Sequence, residues 1–416
     1  ADFGKPVAPY RLYYWRQGSA SSTPTGATEI VSADTPGMPK GMVVAQNANL
    51  QFSRDGARLF LATAPAPEPP ADPDSDAPDP IPVDLWSTND PWLQPMQRVR
   101  AEQERNRNYR AVYHLNDRKF VQLATPDLPT VTPGDDLTQV IGMSDIPYRK
   151  ELSWDQTYND IYLLDLRTGK PNRILDHWGG TSSMSPGGKY VLYFDETTGH
   201  WFTYRVADGV RANLTEKLNV RFQQVNDTPS LPGPYGTAGW TANDASVLLY
   251  DEFDIWEVKP DGSGGRNITG GTGRQTSTIF RYRSLDPEER VVPTDKPLLL
   301  SATDDRTRAT GFYRLASLNA TTPPQKIVML DKAFGAVNKA KKADRVVFTL
   351  SRFDEFPDIW TSDLTFKDMK KVSNVGAQME PFIWGKSELI EYINADGQKL
   401  RAILTKPDNF DPNKKY

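Results

Sequence analysis

Apolar and polar positions follow a three-strand pattern that recurs along the chain. In its clearest copy the apolar run YVLYF at residues 190–194 follows the turn sequence SPGGK, and an alternating strand and a short polar strand come next. Side-chain alternation with Gly, Pro and Asp between the runs predicts antiparallel meanders. The three clear copies predict strands at residues 190–194, 201–206 and 210–215, at residues 247–250, 253–258 and 266–269, and at residues 345–350, 358–364 and 370–373.

Short signatures repeat together with the meanders. Ser185 and Thr241, which lead two of the copies, are 56 residues apart (241 − 185), and DIY or DIW begins at Asp160, Asp254 and Asp358. Those aspartates are 94 and 104 residues apart, which is about two propeller blades per interval. Less regular copies occupy residues 52–61, 154–175, 297–318 and 382–392.

This repetition predicts an all-β fold, a β-propeller of about seven four-stranded blades that occupies residues 1–390. The chain opens in the middle of the pattern. The alternative is therefore a propeller that is incomplete at its N-terminal side and leaves strand edges exposed.

One stretch, at about residues 64–110, interrupts the repeats. Residues 64–82 are rich in Pro, Asp and Ala, a composition typical of an extended solvated loop. Residues 92–110 contain many good helix formers and predict a short helix. A long insert in a propeller is either a functional projection or a solvated decoration, and the sequence favours neither.

Composition narrows the classes of partner. The net charge of −4, without a clustered basic stripe, argues against nucleic-acid binding. No window of 18 apolar residues occurs, which predicts that no helix spans a membrane. The absence of Cys excludes disulfides, thiolate zinc sites and a cysteine nucleophile. The glycines of residues 262–273 are not followed by Lys-Ser/Thr, so we expect neither a phosphate loop nor a cofactor or metal.

The chain has only three histidines, His114, His177 and His200. A catalytic base needs an orienting acid and an adjacent nucleophile, and none of the three has such a context. The nucleophile elbow Gly-x-Ser-x-Gly is also absent. We therefore interpret the histidines as turn or strand-edge residues and predict no catalytic residue in this chain.

Three acidic stretches are candidates for metal or acid–base chemistry. Residues 72–76 (DPDSD) resemble the start of a calcium loop, but Ala77 and Val83 stand where an EF-hand needs Gly and Glu. The pairs at residues 135–136 and 304–305 would point to opposite faces of a strand. An acidic linker and turn capping are the interpretations that we prefer.

The end of the chain resembles a known family. Residues 391–400 (EYINADGQKL), continued to Pro407 and to NKKY at residues 413–416, are similar to the connector of the prolyl oligopeptidase family, in which the propeller gives way to a strand of the pattern D-G-x-x-L. Internally, VDLWSTND at residues 83–90, LQPMQ at 93–97, PYRKE at 147–151 and WD at 154–155 resemble segments of large bacterial peptidases of that family.

The resemblance implies that residues 391–416 lead into an α/β-hydrolase domain with a Ser-Asp-His triad that lies outside this sequence. The chain would then be a non-catalytic domain that gates access of peptides to that hydrolase domain. The paired glutamates by which dipeptidyl-peptidase relatives hold a substrate amino terminus are not evident, so aminopeptidase and endopeptidase both stay open.

Two other functions are compatible with the sequence. One is a stand-alone propeller that scaffolds proteins in the cell envelope, and the other is a propeller enzyme with a site in its central channel. The scattered histidines disfavour the second. Residues 1–15 contain no apolar signal-peptide core. We expect a piece of a longer precursor that is periplasmic or secreted, with the cytoplasm as the alternative.

Overall fold

The fold consists mainly of antiparallel β-strands. The computed structural model describes residues 8–16, 26–68, 83–132, 137–225 and 228–415. The chain divides into two compact units, Ala1–Met184 and Ser185–Tyr416. No helix in the described ranges is long and apolar enough to cross a membrane.

The described part of the first unit contains two meander sheets. Its strands are β1 (Leu12–Tyr14), β2 (Thr28–Val31), β3 (Met42–Val44), β4 (Gln51–Phe52), β5 (Arg58–Pro65), β6 (Tyr109–His114), β7 (Lys119–Gln122), β8 (Thr130–Val131), β9 (Gln139–Ser144), β10 (Asn159–Asp165), β11 (Pro171–Trp178) and β12 (Ser182–Met184). β1 and β2 form a ladder by themselves. β3 and β4 both pair with β5, which continues to β6 and β7, and β8 to β11 pair in chain order.

The second unit repeats the same plan. Its strands are β13 (Tyr190–Asp195), β14 (His200–Arg205), β15 (Arg211–Asn213), β16 (Thr237–Trp240), β17 (Val247–Tyr250), β18 (Ile255–Val258), β19 (Gly265–Asn267), β20 (Thr278–Arg283), β21 (Leu298–Asp304), β22 (Thr310–Leu315), β23 (Gln325–Leu330), β24 (Ala333–Phe334), β25 (Asn338–Lys339), β26 (Val346–Arg352), β27 (Glu355–Ser362), β28 (Lys370–Lys371), β29 (Lys386–Ile393) and β30 (Lys399–Lys406). β13–β15, β16–β19 and β20–β23 pair in chain order. β24 and β25 both pair with β26, which continues to β27 and β28, and β29 pairs with β30.

Consecutive sheets pack face to face within each unit. Phe60 of β5 and Leu164 of β10 share one buried cluster, and Phe194 of β13 and Leu249 of β17 share another. The later sheets are joined in the same way. A strand presents alternate side chains to its two faces, so each sheet can bury apolar residues against both neighbours. Serial stacking of meander sheets is the blade arrangement of a β-propeller, and the predicted fold class is confirmed.

The helices are short and lie between strands. Among the described residues the α-helices are α1 (Gln94–Arg105) and α2 (Thr272–Thr276), and 3₁₀ turns occupy Ile146–Tyr148, Glu151–Ser153, Glu216–Leu218, Ala242–Asp244 and Val375–Met379. The predicted helix of the insert is therefore present but shorter than residues 92–110. Pro95 lies in its first turn, where a missing N–H costs nothing, and the chain has already turned into β6 by Tyr109.

Candidate functional site

The aspartates of the three DIY and DIW signatures have one structural role. Asp160, Asp254 and Asp358 are each at most 3% exposed. Each accepts hydrogen bonds from backbone N–H groups that lie 17 to 20 positions further along the chain, at 2.7 to 3.4 Å. Because the carboxylate lies near the start of one strand and its donors lie at or just after the last strand of the same sheet, it fixes the loops at that end of the sheet.

Asp358 also forms an ion pair with a lysine. The Lys371 ammonium lies 2.7 Å from Asp358 Oδ2, and the Ser373 hydroxyl donates to Oδ1 at 2.6 Å. These two donors, followed by the backbone N–H groups, lower the pKa of Asp358 to about 2. The carboxylate is therefore charged in the folded protein at neutral pH.

A cleft of about 520 Å³ lies beside Asp358, in the last meander sheet of the second unit. Sites for small ligands typically have volumes of roughly 300–1,000 Å³. Phe353, Phe356 and Trp384 line the cleft and are 42 to 47% exposed. The rings of Phe353 and Trp384 stack with centroids 6.3 Å apart, and Trp384 Nε1 donates to the Phe353 carbonyl at 2.6 Å.

The polar lining of the cleft carries an excess of negative charge. Its charged residues are four carboxylates and two cations: Asp354, Glu355, Asp358 and Glu380, with Arg352 and Lys371. Three of the carboxylates have cationic partners. Asp354 pairs with Arg352 at 2.9 Å and Asp358 pairs with Lys371 at 2.7 Å. Glu355 pairs with Lys332 at 2.5 Å. Within the described residues the side chain of Glu380 has no such partner. This arrangement can hold a cation against aromatic rings.

The structure gives each histidine a hydrogen-bond partner. His114 Nε2 lies 2.8 Å from the Leu166 carbonyl, His177 Nε2 lies 2.7 Å from Glu151 Oε2, and His200 Nδ1 lies 3.1 Å from Thr215 Oγ1. His114 ends β6, His177 lies near the end of β11 and His200 begins β14. These positions agree with the strand-edge interpretation, but Glu151 gives His177 an acidic partner that its sequence context did not indicate. The expectation of no catalytic residue remains a prediction.

The acidic stretches fall into two groups. Residues 72–76 and 135–136 lie outside the described residues. Asp304 accepts hydrogen bonds from the backbone N–H groups of Arg306 and Thr307 at 2.9 and 3.1 Å, so it caps the turn between β21 and β22 as expected. Asp305 instead forms ion pairs with Arg308 and Arg401, each at 3.0 Å.

Trp92 packs the insert against the rest of the first unit. This indole is 8% exposed, and the guanidinium carbons of Arg100 and Arg149 lie 4.8 and 4.3 Å from its ring centroid. Lys150 Nζ also donates to the Thr88 carbonyl at 3.0 Å. The helix α1 itself has no buried residue. Residues 147–151, which resembled the same peptidases as the insert, therefore contact it directly.

The hairpin of β29 and β30 exposes much apolar surface. Ile393 is 66% exposed and Ile403 is 72% exposed, and Ile383, just before β29, is 81% exposed. Among the described residues β29 pairs only with β30, so the blade expected to start at residues 382–392 is a two-stranded hairpin. The boundary predicted at residue 391 falls within β29. A two-stranded hairpin is marginally stable in water without a covering layer.

Sequence reasoning did not identify the cleft. Phe353 lies in the loop between β26 and β27 and Trp384 lies in the segment before β29, whereas Phe356 and Trp360 lie on β27. The signal was available as Phe353 and Phe356, which precede the predicted strand at residues 358–364, and as Trp384, which lies in the less regular copy at residues 382–392.

Comparison with known proteins finds solved structures whose fold is similar to that of this chain. No protein-family model matches the sequence, and no curated protein matches it. Similar solved structures include a prolyl endopeptidase (13% identity, 97% of this chain and 52% of that chain, TM-score 0.43) and dipeptidyl peptidase 4 of Porphyromonas gingivalis (12% identity, 94% and 48%, TM-score 0.45). Another is the β-propeller domain of the Trilobed protease from Pyrococcus furiosus (12% identity, 88% and 99%, TM-score 0.33).

The class that the fold defines is an all-β protein of the propeller type. Likeness at these identities concerns the fold alone. The chain spans about half the length of the two peptidases that it resembles, and nearly the whole length of the isolated propeller domain.

Proposed function

We propose that this chain is the non-catalytic propeller domain of a serine-type peptidase of the prolyl oligopeptidase family, and that it gates access of peptides to a C-terminal hydrolase domain. The observation that carries the proposal is the β29–β30 hairpin. It contains the D-G-x-x-L connector pattern at residues 396–400 and exposes Ile393 and Ile403, as a segment covered by a further domain would.

The hairpin is also held in a defined place. Arg401 of β30 forms an ion pair with Asp305 at 3.0 Å, and the Trp384 indole before β29 is bonded to the Phe353 carbonyl at 2.6 Å. An anchored hairpin with uncovered apolar residues is suited to position a following domain. Peptide substrates and the hydrolase domain are thus the proposed partners, and the periplasm or the cell exterior is the proposed location, which fractionation of the source cells would test.

Removal of the propeller from the longer protein tests gating. The longer protein and a version without residues 1–380 would be compared on a short chromogenic peptide and on an unfolded protein of at least 100 residues. We expect the shortened enzyme to gain cleavage of the large substrate while it still cleaves the peptide. If it cleaves peptides and ignores large proteins as before, gating by this domain is wrong.

The 416-residue chain alone should not turn over peptides, and turnover by the pure chain would contradict its non-catalytic role. A stand-alone envelope scaffold is the second candidate, because the exposed hairpin would equally suit a protein partner. The sequence that continues the gene separates the two candidates. A Gly-x-Ser-x-Gly about 100 residues after Tyr416 favours the peptidase, since that motif forms the nucleophile elbow of α/β-hydrolases.

A further inference from the structure

We infer that the cleft beside Asp358 binds the guanidinium group of an arginine side chain in a peptide, with Glu380 as its anionic partner. This inference goes beyond the proposed function, because it concerns a binding site within this chain and needs no hydrolase domain.

The charge of the cleft selects a cation. Four carboxylates line it against two cations, and the pairs that Asp354, Glu355 and Asp358 form leave the Glu380 carboxylate without an ionic partner among the described residues. An incoming anion would meet this excess negative charge. A cation would supply the ion pair that Glu380 lacks, and that attraction follows Coulomb's law.

The aromatic residues select a planar cation. Phe353, Phe356 and Trp384 line the cleft and are 42 to 47% exposed, and Trp360 contributes a fourth ring to the lining. A guanidinium group stacks on aromatic rings and forms a bidentate pair with a carboxylate, whereas an ammonium is compact and strongly hydrated. Arginine therefore fits this combination of rings and carboxylate better than lysine does.

The cleft is organised before a ligand arrives. Asp358 accepts hydrogen bonds from the backbone N–H groups of Val375 at 2.7 Å and Gly376 at 3.4 Å, which fixes the segment that leads to Glu380. Trp384 and Phe353, which also line the cleft, are joined by the bond from the Trp384 indole to the Phe353 carbonyl. Little loop ordering is then required on binding, and this lowers the entropic cost of association.

Capped peptides test the inference on the 416-residue chain. The probes are acetyl-Ala-Ala-Arg-Ala-Ala-amide, the same peptide with citrulline, the same peptide with lysine, and uncapped pentaalanine, each titrated with tryptophan fluorescence and calorimetry as readouts. Citrulline has the shape of arginine without its charge. We expect the arginine peptide to bind at least about tenfold more tightly than the citrulline peptide, with the lysine peptide between them.

Variants locate the site. Glu380→Gln keeps the size of the exposed side chain and should abolish the preference for arginine over citrulline. Glu102→Gln, on the exposed face of α1, removes the same charge elsewhere and should leave the preference intact. Equal binding of the arginine and citrulline peptides, or an unchanged preference in Glu380→Gln, would overturn the inference.

Two other results would also overturn it. One is tighter binding of uncapped pentaalanine, which would indicate recognition of an amino terminus, and the other is no binding of any probe at millimolar concentration. None of these outcomes bears on gating, which is measured by cleavage of large substrates in the longer protein.

Discussion

The carboxylate of Asp244 accepts a hydrogen bond from the hydroxyl of Ser185 at 2.7 Å, although the two residues lie in the leading turns of different sheets. In the turn that leads into β5 the corresponding acceptor lies in the same turn, because Asp55 accepts a hydrogen bond from the hydroxyl of Ser53 at 2.5 Å. The turn at Ser185 has Gly187 in place of that aspartate. Asp244 of the next sheet therefore provides the carboxylate acceptor that the turn at Ser185 lacks.

The glycine and the distant aspartate depend on each other. A Cβ atom at Gly187 would lie 2.7 Å from Asp244 Oδ2, which is closer than a carbon and an oxygen can approach. The Asp244 carboxylate accepts hydrogen bonds from the backbone N–H groups of Gly187 at 2.8 Å and Lys189 at 3.1 Å. This pairing joins the sheet of β13–β15 to the sheet of β16–β19 by hydrogen bonds in addition to apolar packing.

We predict that Asp244→Gly destabilises the fold by about 1–3 kcal/mol, because it leaves a buried hydroxyl and two N–H groups without an acceptor. Glycine is chosen because residue 244 has φ of +57°, where other small residues are strained. Denaturant unfolding measures the loss. The exposed Asp408→Gly is the control and should change stability by less.

The swap Gly187→Asp with Asp244→Gly should recover at least half of that loss, because Gly187 does not require a positive φ and an aspartate there can cap its own turn as Asp55 does. Additive destabilisation of the two single changes would show that the carboxylate at 244 acts in another way.

Acid should weaken the last meander sheet through Asp358. Its pKa in the folded chain is about 2, against an ordinary value of 3.8, so the unfolded chain takes up a proton first as the pH falls. The stability that Asp358 contributes is complete above about pH 4 and is lost as the pH falls toward 2. The difference in melting temperature between the wild type and Asp358→Asn should therefore shrink over that range, whereas Asp408→Asn should melt like the wild type throughout.

Replacement of Trp92 should weaken the packing of α1 against the rest of the first unit. The guanidinium groups of Arg100 and Arg149 both lie over the Trp92 ring, and α1 buries no residue of its own. In Trp92→Ala we expect faster hydrogen exchange over Gln94–Arg105 and earlier tryptic cleavage there, with little change in the melting of the sheets. Trp86→Ala is the matched control, because that indole is 67% exposed. Equal exchange in the two variants would show that Trp92 does not hold the insert.

The repeated blade pattern could be predicted from the sequence because each apolar strand is buried against the sheets on both sides. The strand at residues 247–250 was predicted with its observed bounds for this reason. Contacts between distant residues could not be predicted in this way. The pair of Gly187 and Asp244, the arginines around Trp92 and the unpaired Glu380 depend on which loops the fold brings together, and hydrophobic periodicity carries no information about that.

The anchor of the C-terminal hairpin offers a last test, because Asp305 has two arginine partners at equal distance. Arg401 Nη2 and Arg308 Nη1 each lie 3.0 Å from a carboxylate oxygen of Asp305, but only Arg401 belongs to β30. We predict that Arg401→Gln raises hydrogen exchange in Lys386–Ile393 and Lys399–Lys406 by about fivefold, because it removes an exposed ion pair of at most about 1 kcal/mol and the bond from Arg401 to the Asp305 carbonyl. Arg308→Gln removes the other pair and should leave exchange in the hairpin unchanged. If the two variants exchange alike, the hairpin is held by the contact between Trp384 and Phe353 instead, and its position does not depend on Asp305.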